Sequence, residues 1–339
     1  MEPVSAPSPL RNTLNFRGPS QPAAERVNVP RLALETTLVP RPPYSLAASA
    51  RAASDATRRW RGGVLTVALD AGEGPSVARV RQRPDGTLSV RMDGAAGEPT
   101  FERLRFVLAV DDDHREFLAR FARDPLLGEP IRRLRGLRPL RTATVAHALV
   151  KALCGQLIAA SAARRLEARL LRAACRRHGD LCVPPNAATF APFAAAELVR
   201  QGLAPRKAAT LVRVSRELDP ERLRAVPTEL AATRIERERG LGPWSAGVVC
   251  LYGLGRRERG LVGDLGLIKL CAALHGRWAD ADDTRALLAP YGEWAGLASV
   301  YLLAGARSLS VPPRPKRLGV GLRDEAGGRR SHDAVAAVL

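Results

Sequence analysis

The last third of the chain holds a tryptophan and an aspartate whose side chains could take part in chemistry. Trp244 follows a tight Gly-Leu-Gly turn, and Asp264 lies 20 residues later, directly before an apolar helical run. A carboxylate at the start of a helix is held by backbone N–H groups, so it can stabilise a developing positive charge or orient a water molecule. The aspartate could instead be only the N-cap of that helix, a common role for this residue type. The two roles are compatible.

The segment before Asp264 predicts two helices joined by a hairpin. Pro227 begins one helix, Gly240-Leu241-Gly242 interrupts it, and Pro243 begins the next. Glycine allows a close turn, and proline at the first helical position removes only an N–H that has no helical partner, so the other N–H groups are free to bind a phosphate. Such a hairpin contacts the DNA backbone rather than the base sequence. An ordinary helix–helix corner can have the same pattern. The candidate DNA-binding residues here are Gly240, Leu241, Gly242, Trp244 and Ser245.

Three segments resemble the helix–hairpin–helix DNA glycosylase superfamily, and within it the DNA-3-methyladenine glycosylase II branch. The hairpin GLGPWSAG (240–247) is similar to the branch's G-I/L-G-x-W-T/S-A pattern, and the catalytic aspartate of the superfamily follows about a helix and a loop later. LCGQLIAASAA (153–163) and GLAPRKAATL (202–211) resemble two further segments of that branch. PPYSL (42–46) and the strands after it look like its N-terminal mixed domain. The likeness covers about residues 40–306.

The resemblance implies a DNA repair glycosylase that flips a damaged base out of duplex DNA and hydrolyses its N-glycosidic bond. Asp264 would be the catalytic carboxylate, and Trp244 and Tyr252 would line the base pocket, with Trp294 and Tyr301 as further aromatic candidates. Trp244 occupies the position at which bifunctional branches carry a Schiff-base lysine. Because an indole has no nucleophilic amine, a monofunctional enzyme is expected. The implied substrate is an alkylated base of the 3-methyladenine type, which already carries positive charge, is a good leaving group and needs no strong general acid.

The resemblance also assigns roles to a loop and to the hairpin backbone. Leu157 matches the apolar side chain that fills the gap left by the flipped nucleotide, with Gln156 facing the minor groove beside it. The alternative is that Leu157 is one more core leucine. No organic cofactor and no catalytic metal are implied. The family hairpin often holds a monovalent cation through backbone carbonyls, here those of Glu236, Glu238 and Leu241.

Several positions depart from the family pattern and put the substrate in doubt. Val248 and Leu303 stand where aromatic residues are frequent, and Ala295 and Gly296 replace a polar Arg-Ser pair. The loop before Asp264 also lacks its usual proline. These departures support an alternative function, a non-catalytic helix–hairpin–helix DNA-binding protein with a degenerate pocket. The lack of a lysine at 244 argues against an oxidised-purine glycosylase.

The charge balance favours a polyanionic partner. The chain has 53 Lys and Arg against 34 Asp and Glu, a net charge of +19, which suits duplex DNA containing damaged bases. Only four of the 53 are lysine, so a GC-rich genome could explain the preference for arginine, although not the deficit of acids. The five cysteines form no CxxC pair, so neither a zinc site nor an iron–sulfur cluster is expected.

Composition and periodicity predict an α+β protein: a small N-terminal domain with an antiparallel sheet, then an all-helical glycosylase domain. Strands are expected at Gly63–Asp70, Ser76–Arg83 and Thr87–Asp93 because turn signals separate them. The predicted domains are a disordered leader (1–38), the mixed domain (39–140), the helical domain (141–308) and a flexible basic tail (309–339). No apolar run is long enough to span a membrane. A cytoplasmic, nucleoid-associated monomer is expected.

Overall fold

The computed structural model describes residues 34–305. The predicted basic tail and the first 33 residues of the predicted leader lie outside these residues. Within them, a five-stranded sheet and two helices are followed by a region that is almost entirely helical. The α+β fold class is therefore confirmed. No helix in the described part of the chain has the length and apolar character needed to cross a membrane.

The sheet is antiparallel throughout, with the strand order β1-β5-β4-β3-β2. Its three central strands confirm the predicted meander, because each starts and ends within one residue of the expected bounds. The strands are β1 (Leu34–Leu38), β2 (Arg58–Arg61), β3 (Val64–Asp70), β4 (Pro75–Gln82) and β5 (Leu88–Gly94).

Strand β1 corrects one part of the predicted disordered leader. Residues 34–38 pair with β5, with Leu34 opposite Met92 and Leu38 opposite Leu88. Leu38 is buried in the apolar core of the sheet. The prediction failed here because five residues carry too short an alternation to indicate a strand, and the partner strand lies some fifty residues away. Burial and backbone pairing with β5, rather than local propensity, order this segment.

One face of the sheet is covered by two helices, α1 (Leu46–Ala50) and α2 (Glu98–Leu108). Alternate side chains of β3, such as Leu65 and Val67, pack with Leu104 and Leu108 of α2 in one apolar cluster. The period of two along the strand places these residues on the same face of the sheet. This face is apolar, so it needs the two helices to cover it.

Eleven further α-helices and a two-stranded hairpin follow in the described residues. Helix α5 is central among them, since α6, α8, α10 and the π-helical turn after α10 all pack against it. The helices are α3 (Arg115–Arg120), α4 (Gly128–Arg133), α5 (Val145–Gly155), α6 (Ala160–Ala174), α7 (Ala195–Arg200), α8 (Pro205–Glu217), α9 (Thr228–Glu236), α10 (Pro243–Val248), α11 (Leu265–His275), α12 (Ala281–Leu288) and α13 (Ala295–Gly305); the hairpin strands are β6 (Arg177–His178) and β7 (Leu181–Cys182).

Helices α3 and α4 precede the predicted domain boundary at 140/141, yet they pack into the helical core. Phe117 of α3 lies with its ring centre 5.6 Å from that of Trp294 and 5.3 Å from that of Tyr301. Both rings are at most 1% exposed. Trp294 and Tyr301 are therefore core residues, and the prediction that they are candidates for the base pocket is wrong. Their apolar helical context could not distinguish burial in the core from burial in a pocket.

A buried ionic joint connects the sheet to the helical region. Arg58 of β2 donates from Nε to Asp55 Oδ2 (2.9 Å) and from Nη1 to the carbonyl oxygen of Arg141 (2.7 Å). Burial by itself would raise the pKa of Asp55, but the guanidinium of Arg58, with His147 and Lys151 of α5, outweighs burial and lowers that pKa to about 2. The charged groups of this joint come from both layers, so it fixes α5 relative to the sheet.

Candidate active site

The hairpin between α9 and α10 has the backbone geometry that the sequence predicts. Gly240 has φ +94°, and a Cβ atom there would lie 2.7 Å from Thr210 Oγ1, so both conformation and space require glycine. The Leu241 N–H donates to the carbonyl oxygen of Glu238 (2.9 Å) and closes the turn. Gly242 caps α10 in an extended conformation, and Pro243 is its first residue. The N–H groups of this first turn have no helical acceptor and suit an anion.

The carbonyls predicted to hold a monovalent cation lie in this same turn. The Glu238 carbonyl already accepts the Leu241 N–H, which occupies one of its two lone pairs. The guanidinium of Arg213 pairs with the Glu238 carboxylate and donates to the carbonyl oxygen of Arg239 (2.9 Å). A fixed positive charge therefore lies beside the hairpin. The cation site at Glu236, Glu238 and Leu241 stays a prediction.

Asp264 both caps α11 and faces the hairpin. Its Oδ1 accepts the Gly266 N–H (2.8 Å), and its Oδ2 accepts the indole N–H of Trp244 (2.9 Å). The side chain is half-buried. The helix-cap role and a site role are thus compatible, since one oxygen is used by the helix and the other is oriented by Trp244.

Trp244 is positioned by a close approach between α10 and the end of α5. A Cβ atom on Gly155 would lie 2.6 Å from the Cη2 atom of Trp244. The indole therefore needs glycine at 155 to reach Asp264. This role of Gly155 was not predicted, although its place directly before the Gln156–Leu157 loop could have indicated it.

Tyr252 lies near the carboxylate, in the π-helical turn Val249–Leu254 that follows α10. Burial, with the negative charge of Asp264 as the second cause, raises the pKa of Tyr252 to about 12, so its phenol is neutral at physiological pH. The Lys151 ammonium lies 5.9 Å from the centre of the Tyr252 ring. Lys151 is thus a second residue that sequence analysis missed; it lies on α5 one helical turn before Gly155, and the helical period could have indicated it.

Leu157 is 89% exposed and has φ +59°. The alternative that it is a core leucine is therefore wrong. An exposed leucine in the left-handed region is costly in two ways, because apolar surface meets water and the backbone is strained. Strained, exposed positions of this kind cluster at binding and catalytic sites.

Gln156 connects the Leu157 loop to the hairpin. Its amide nitrogen donates to the carbonyl oxygen of Gly240 (2.8 Å) and to Ser245 Oγ (3.0 Å), and Lys207 Nζ donates to its backbone oxygen (2.8 Å). Sequence analysis expected Gln156 to face the minor groove. The structure directs its amide nitrogen to the hairpin, where it fixes the position of Leu157 relative to the hairpin. The contact of Gln156 with the minor groove stays a prediction.

The departures from the family pattern have local packing reasons. Val248 is buried, and the side chain of Leu303 lies directly against Gly266 in the first turn of α11. A Cβ atom on Gly296 would lie 2.7 Å from the carbonyl oxygens of Arg257 and Arg259. A larger residue at 296 therefore cannot fit unless this loop moves.

The described chain has the fold of the helix–hairpin–helix DNA glycosylases. Among solved structures it is similar to 3-methyladenine DNA glycosylase from Archaeoglobus fulgidus, with a TM-score of 0.70 and 19% identity over 79% of this chain and 97% of that chain. An 8-oxoguanine glycosylase/lyase from Clostridium acetobutylicum, in complex with DNA containing 8-oxoG, has a TM-score of 0.65 and 17% identity over 78% and 92% of the two chains. MBOgg1 in complex with a DNA ligand has a TM-score of 0.67 and 15% identity over 82% and 99%. Neither a family model nor a curated protein matches the sequence.

Proposed function

We propose that the protein is a monofunctional DNA glycosylase that removes a damaged, alkylated base from duplex DNA. The observation that carries this proposal is the Asp264 carboxylate, which the Gly266 N–H and the Trp244 indole hold from two sides. It faces the hairpin whose free N–H groups suit a DNA phosphate. The fold similarity to glycosylases supports the same reading.

The reaction follows from these positions. The hairpin binds the backbone, Leu157 fills the space in the base stack, and the flipped nucleotide enters beside Trp244 and Tyr252. The bond from C1′ to the base nitrogen breaks and its electrons leave with the base. Asp264 stabilises the positive charge on the sugar or orients the water that adds to C1′. An alkylated base already carries positive charge, which the faces of Trp244 and Tyr252 attract.

The absence of an amine at position 244 supports a monofunctional reaction, since an imine with C1′ needs one. The Lys151 amine near Tyr252 is engaged in an ion pair, 3.5 Å from Glu167 Oε2. A lysine held in an ion pair is a poor nucleophile. The expected product is therefore an intact abasic site.

Base release from a panel of duplexes carrying methylated, deaminated and oxidised bases tests the proposal. The wild type should release an alkylated purine, and Asp264→Asn should abolish release while leaving affinity for an abasic-site duplex within a few fold. Asparagine caps a helix about as well as aspartate, so this variant keeps the cap on Gly266. It removes the negative charge and the oxygen that accepts the Trp244 N–H. If Asp264→Asn released bases at the wild-type rate, Asp264 would act only as a helix cap and not in catalysis.

A second candidate function is a non-catalytic DNA-binding protein. The observation in its favour is that Leu303 lies against Gly266 where the family frequently has an aromatic side chain. In the same panel this function predicts binding to every duplex and release from none. If the wild type released only an oxidised purine, the substrate in our proposal would be an oxidised purine and not an alkylated base.

A further inference from the structure

Helix α6 carries arginines along its exposed face and begins three residues after Leu157. Arg164, Arg165, Arg169 and Arg172 are all exposed. The acidic residue of this helix, Glu167, points the other way: it is 2% exposed, and its carboxylate accepts a bond from His147 (2.8 Å) and pairs with Lys151. The outer face of α6 therefore presents positive charge without a carboxylate of its own. We call these four residues the α6 arginine stripe.

The stripe forms one wall of an open groove of about 870 Å³. Asp55, Arg58 and Arg59 line the same groove, as does Gln201. The Asp55 carboxylate does not neutralise the stripe, because it already accepts bonds from Arg58 and from Thr57. The groove is thus a basic surface rather than a mixed one.

The arginines of the stripe contribute little to the bonding of the fold. Among residues 34–305, none of the four takes part in an ion pair, and the hydrogen bond they make is that of Arg169 Nη1 to the carbonyl oxygen of Gln201 (3.2 Å). Elsewhere in this part of the chain, exposed arginines often pair with carboxylates, as Arg277 does with Asp283. Four unpaired guanidinium groups on one helix repel one another, so an external anion would stabilise them.

We propose that the α6 arginine stripe binds the phosphate backbone of duplex DNA on the side of Leu157 away from the hairpin. This inference rests on the proposed function to the extent that Leu157 lies at the lesion. From Arg164 to Arg172 the helix rises about 12 Å, long enough to reach several phosphates of one strand, which follow one another every 3.4 Å or so along the helix axis. Guanidinium groups suit phosphate because they donate two parallel bonds. Between Arg164 and Arg172 no apolar residue is exposed, so this face lacks the large apolar anchors of a membrane-binding helix.

The test compares two variants that each remove four positive charges. The stripe variant is Arg164→Gln, Arg165→Gln, Arg169→Gln and Arg172→Gln. The control variant carries the same change at four exposed arginines of the α3–α4 region: Arg120, Arg123, Arg132 and Arg135. For an abasic-site duplex, log Kd is measured against log salt concentration. Each lost phosphate contact should lower the slope of log Kd against log salt concentration by about 0.9. Relative to the wild type, this slope should therefore fall by about 2 to 4 in the stripe variant and by less than 1 in the control variant.

Two further measurements locate the contact. A third variant with lysine at the four stripe positions keeps the charge, so it should restore most of the slope and show that the glutamine variant had not simply misfolded. Shortening the duplex on one side of the abasic site should abolish the difference in salt slope between the wild type and the stripe variant. Shortening the duplex on the other side should preserve that difference. Equal slopes for the stripe and control variants, or no dependence on either arm, would overturn the inference.

The outcome is independent of catalysis. The wild type could release no base from any duplex while the stripe variant still shows a lower salt slope. That result would refute the proposed glycosylase function and support the stripe as a DNA-binding surface.

Discussion

Trp244, Asp264 and Gly155 form one structural unit at the residue scale. The indole reaches the carboxylate only because residue 155 has no side chain, and the carboxylate keeps its direction because one oxygen caps α11. Each residue has an ordinary structural role when considered alone. Their combination fixes a carboxylate beside the hairpin, which is the arrangement that charge stabilisation at a sugar needs.

Trp244→Phe tests the orienting hydrogen bond. The variant keeps an aromatic ring but loses the indole N–H, so the carboxylate can rotate away from its position. We expect the rate of base release at saturating DNA to fall about 10-fold, corresponding to about 1.4 kcal/mol, with affinity for abasic-site duplex changed less than 3-fold. Trp60→Phe in β2 is the matched control and should leave both quantities unchanged. An unaltered rate in Trp244→Phe would mean that the hydrogen bond has no part in the reaction.

The reaction product tests the absence of a Schiff base. Borohydride reduction during the reaction should trap no covalent protein–DNA adduct, and the abasic strand should stay intact until treated with alkali. Lys151→Ala is the informative companion variant because Lys151 is the lysine close to Tyr252. An adduct with the wild type that disappears in Lys151→Ala would contradict the monofunctional assignment and identify the nucleophile.

At the element scale, the connection from α5 to α6 determines how DNA could be engaged. Gln156 attaches it to the hairpin, Leu157 projects from it, and the arginine stripe begins one turn into the following helix. The connection is four residues long between well-packed helices, which restricts how far Leu157 can move. The hairpin, Leu157 and the arginine stripe, which we propose to contact a phosphate, the base gap and further phosphates, therefore lie on adjoining elements.

Leu157→Ala separates insertion into the base stack from packing. Because the side chain is 89% exposed, its truncation should change the free energy of unfolding by less than about 0.5 kcal/mol, the usual range for surface positions. Affinity for abasic-site duplex should fall by about 1–3 kcal/mol on stacking grounds, more than affinity for undamaged duplex. The salt slope should stay the same because no charge is removed. Equal losses on the two duplexes would exclude Leu157 from the site.

Gly155→Ala tests the contact between α5 and α10. The added methyl group would meet the indole 2.6 Å away, so Trp244 must shift and its bond to Asp264 should lengthen or break. Alanine favours a helix over glycine by about 1 kcal/mol, which offsets part of the strain. We expect base release to slow at least as much as in Trp244→Phe, with thermal stability little changed and hairpin-dependent DNA affinity retained. A variant with normal activity would show that the indole position is not critical.

At the scale of the whole molecule, the sheet and the helical region are joined by buried charge as well as by apolar packing. Asp55 and Arg58 lie at the start of β2, and His147, Lys151 and Glu167 approach them from α5 and α6. Burial would raise the pKa of Glu167, but Lys151 and His147 lower it below its ordinary value. The joint is therefore stable while these carboxylates are ionised and weakens when they take up protons.

Acid should weaken this joint in a defined pH range. The pKa of Asp55 is about 2 in the folded protein against an ordinary value of 3.8. The corresponding stabilisation is present above pH 4 and is lost as pH falls from 4 toward 2. One pKa unit corresponds to about 1.4 kcal/mol, so the loss should be about 2 kcal/mol.

Urea unfolding of Asp55→Asn at several pH values measures that contribution. At pH 7 the variant should be destabilised by about 3–5 kcal/mol, because Arg58 is left buried without its partner. The difference from wild type should narrow as pH falls toward 2. Asp180→Asn, at an exposed carboxylate, is the control and should stay near wild type throughout. A difference that does not depend on pH would mean that Asp55 acts through packing rather than charge.

The sequence alone determined the features that depend on near neighbours in the chain. The hairpin of Gly240–Gly242, the cap at Asp264 and the three-stranded meander were all predicted because turn geometry and helix ends are set by a few adjacent residues. Residues 34–38 show the limit of this reasoning, since their strand exists only through pairing with β5. Local preference was too weak there, and a long-range partner determined the outcome.

Only the tertiary structure decided which of the candidate residues meet. Trp294 and Tyr301 have the same apolar helical context as Tyr252, yet they pack around Phe117 while Tyr252 lies near Asp264. Leu157 has an apolar side chain, as core positions do, and is nevertheless exposed. Four residues turn the chain from α5 into α6, and Leu157 takes a left-handed backbone conformation within this turn. Sequence patterns give the identity and period of side chains, whereas helix packing sets their direction. The hydrogen bond between Trp244 and Asp264, for which Gly155 leaves the space, depends on how α5, α10 and α11 pack together.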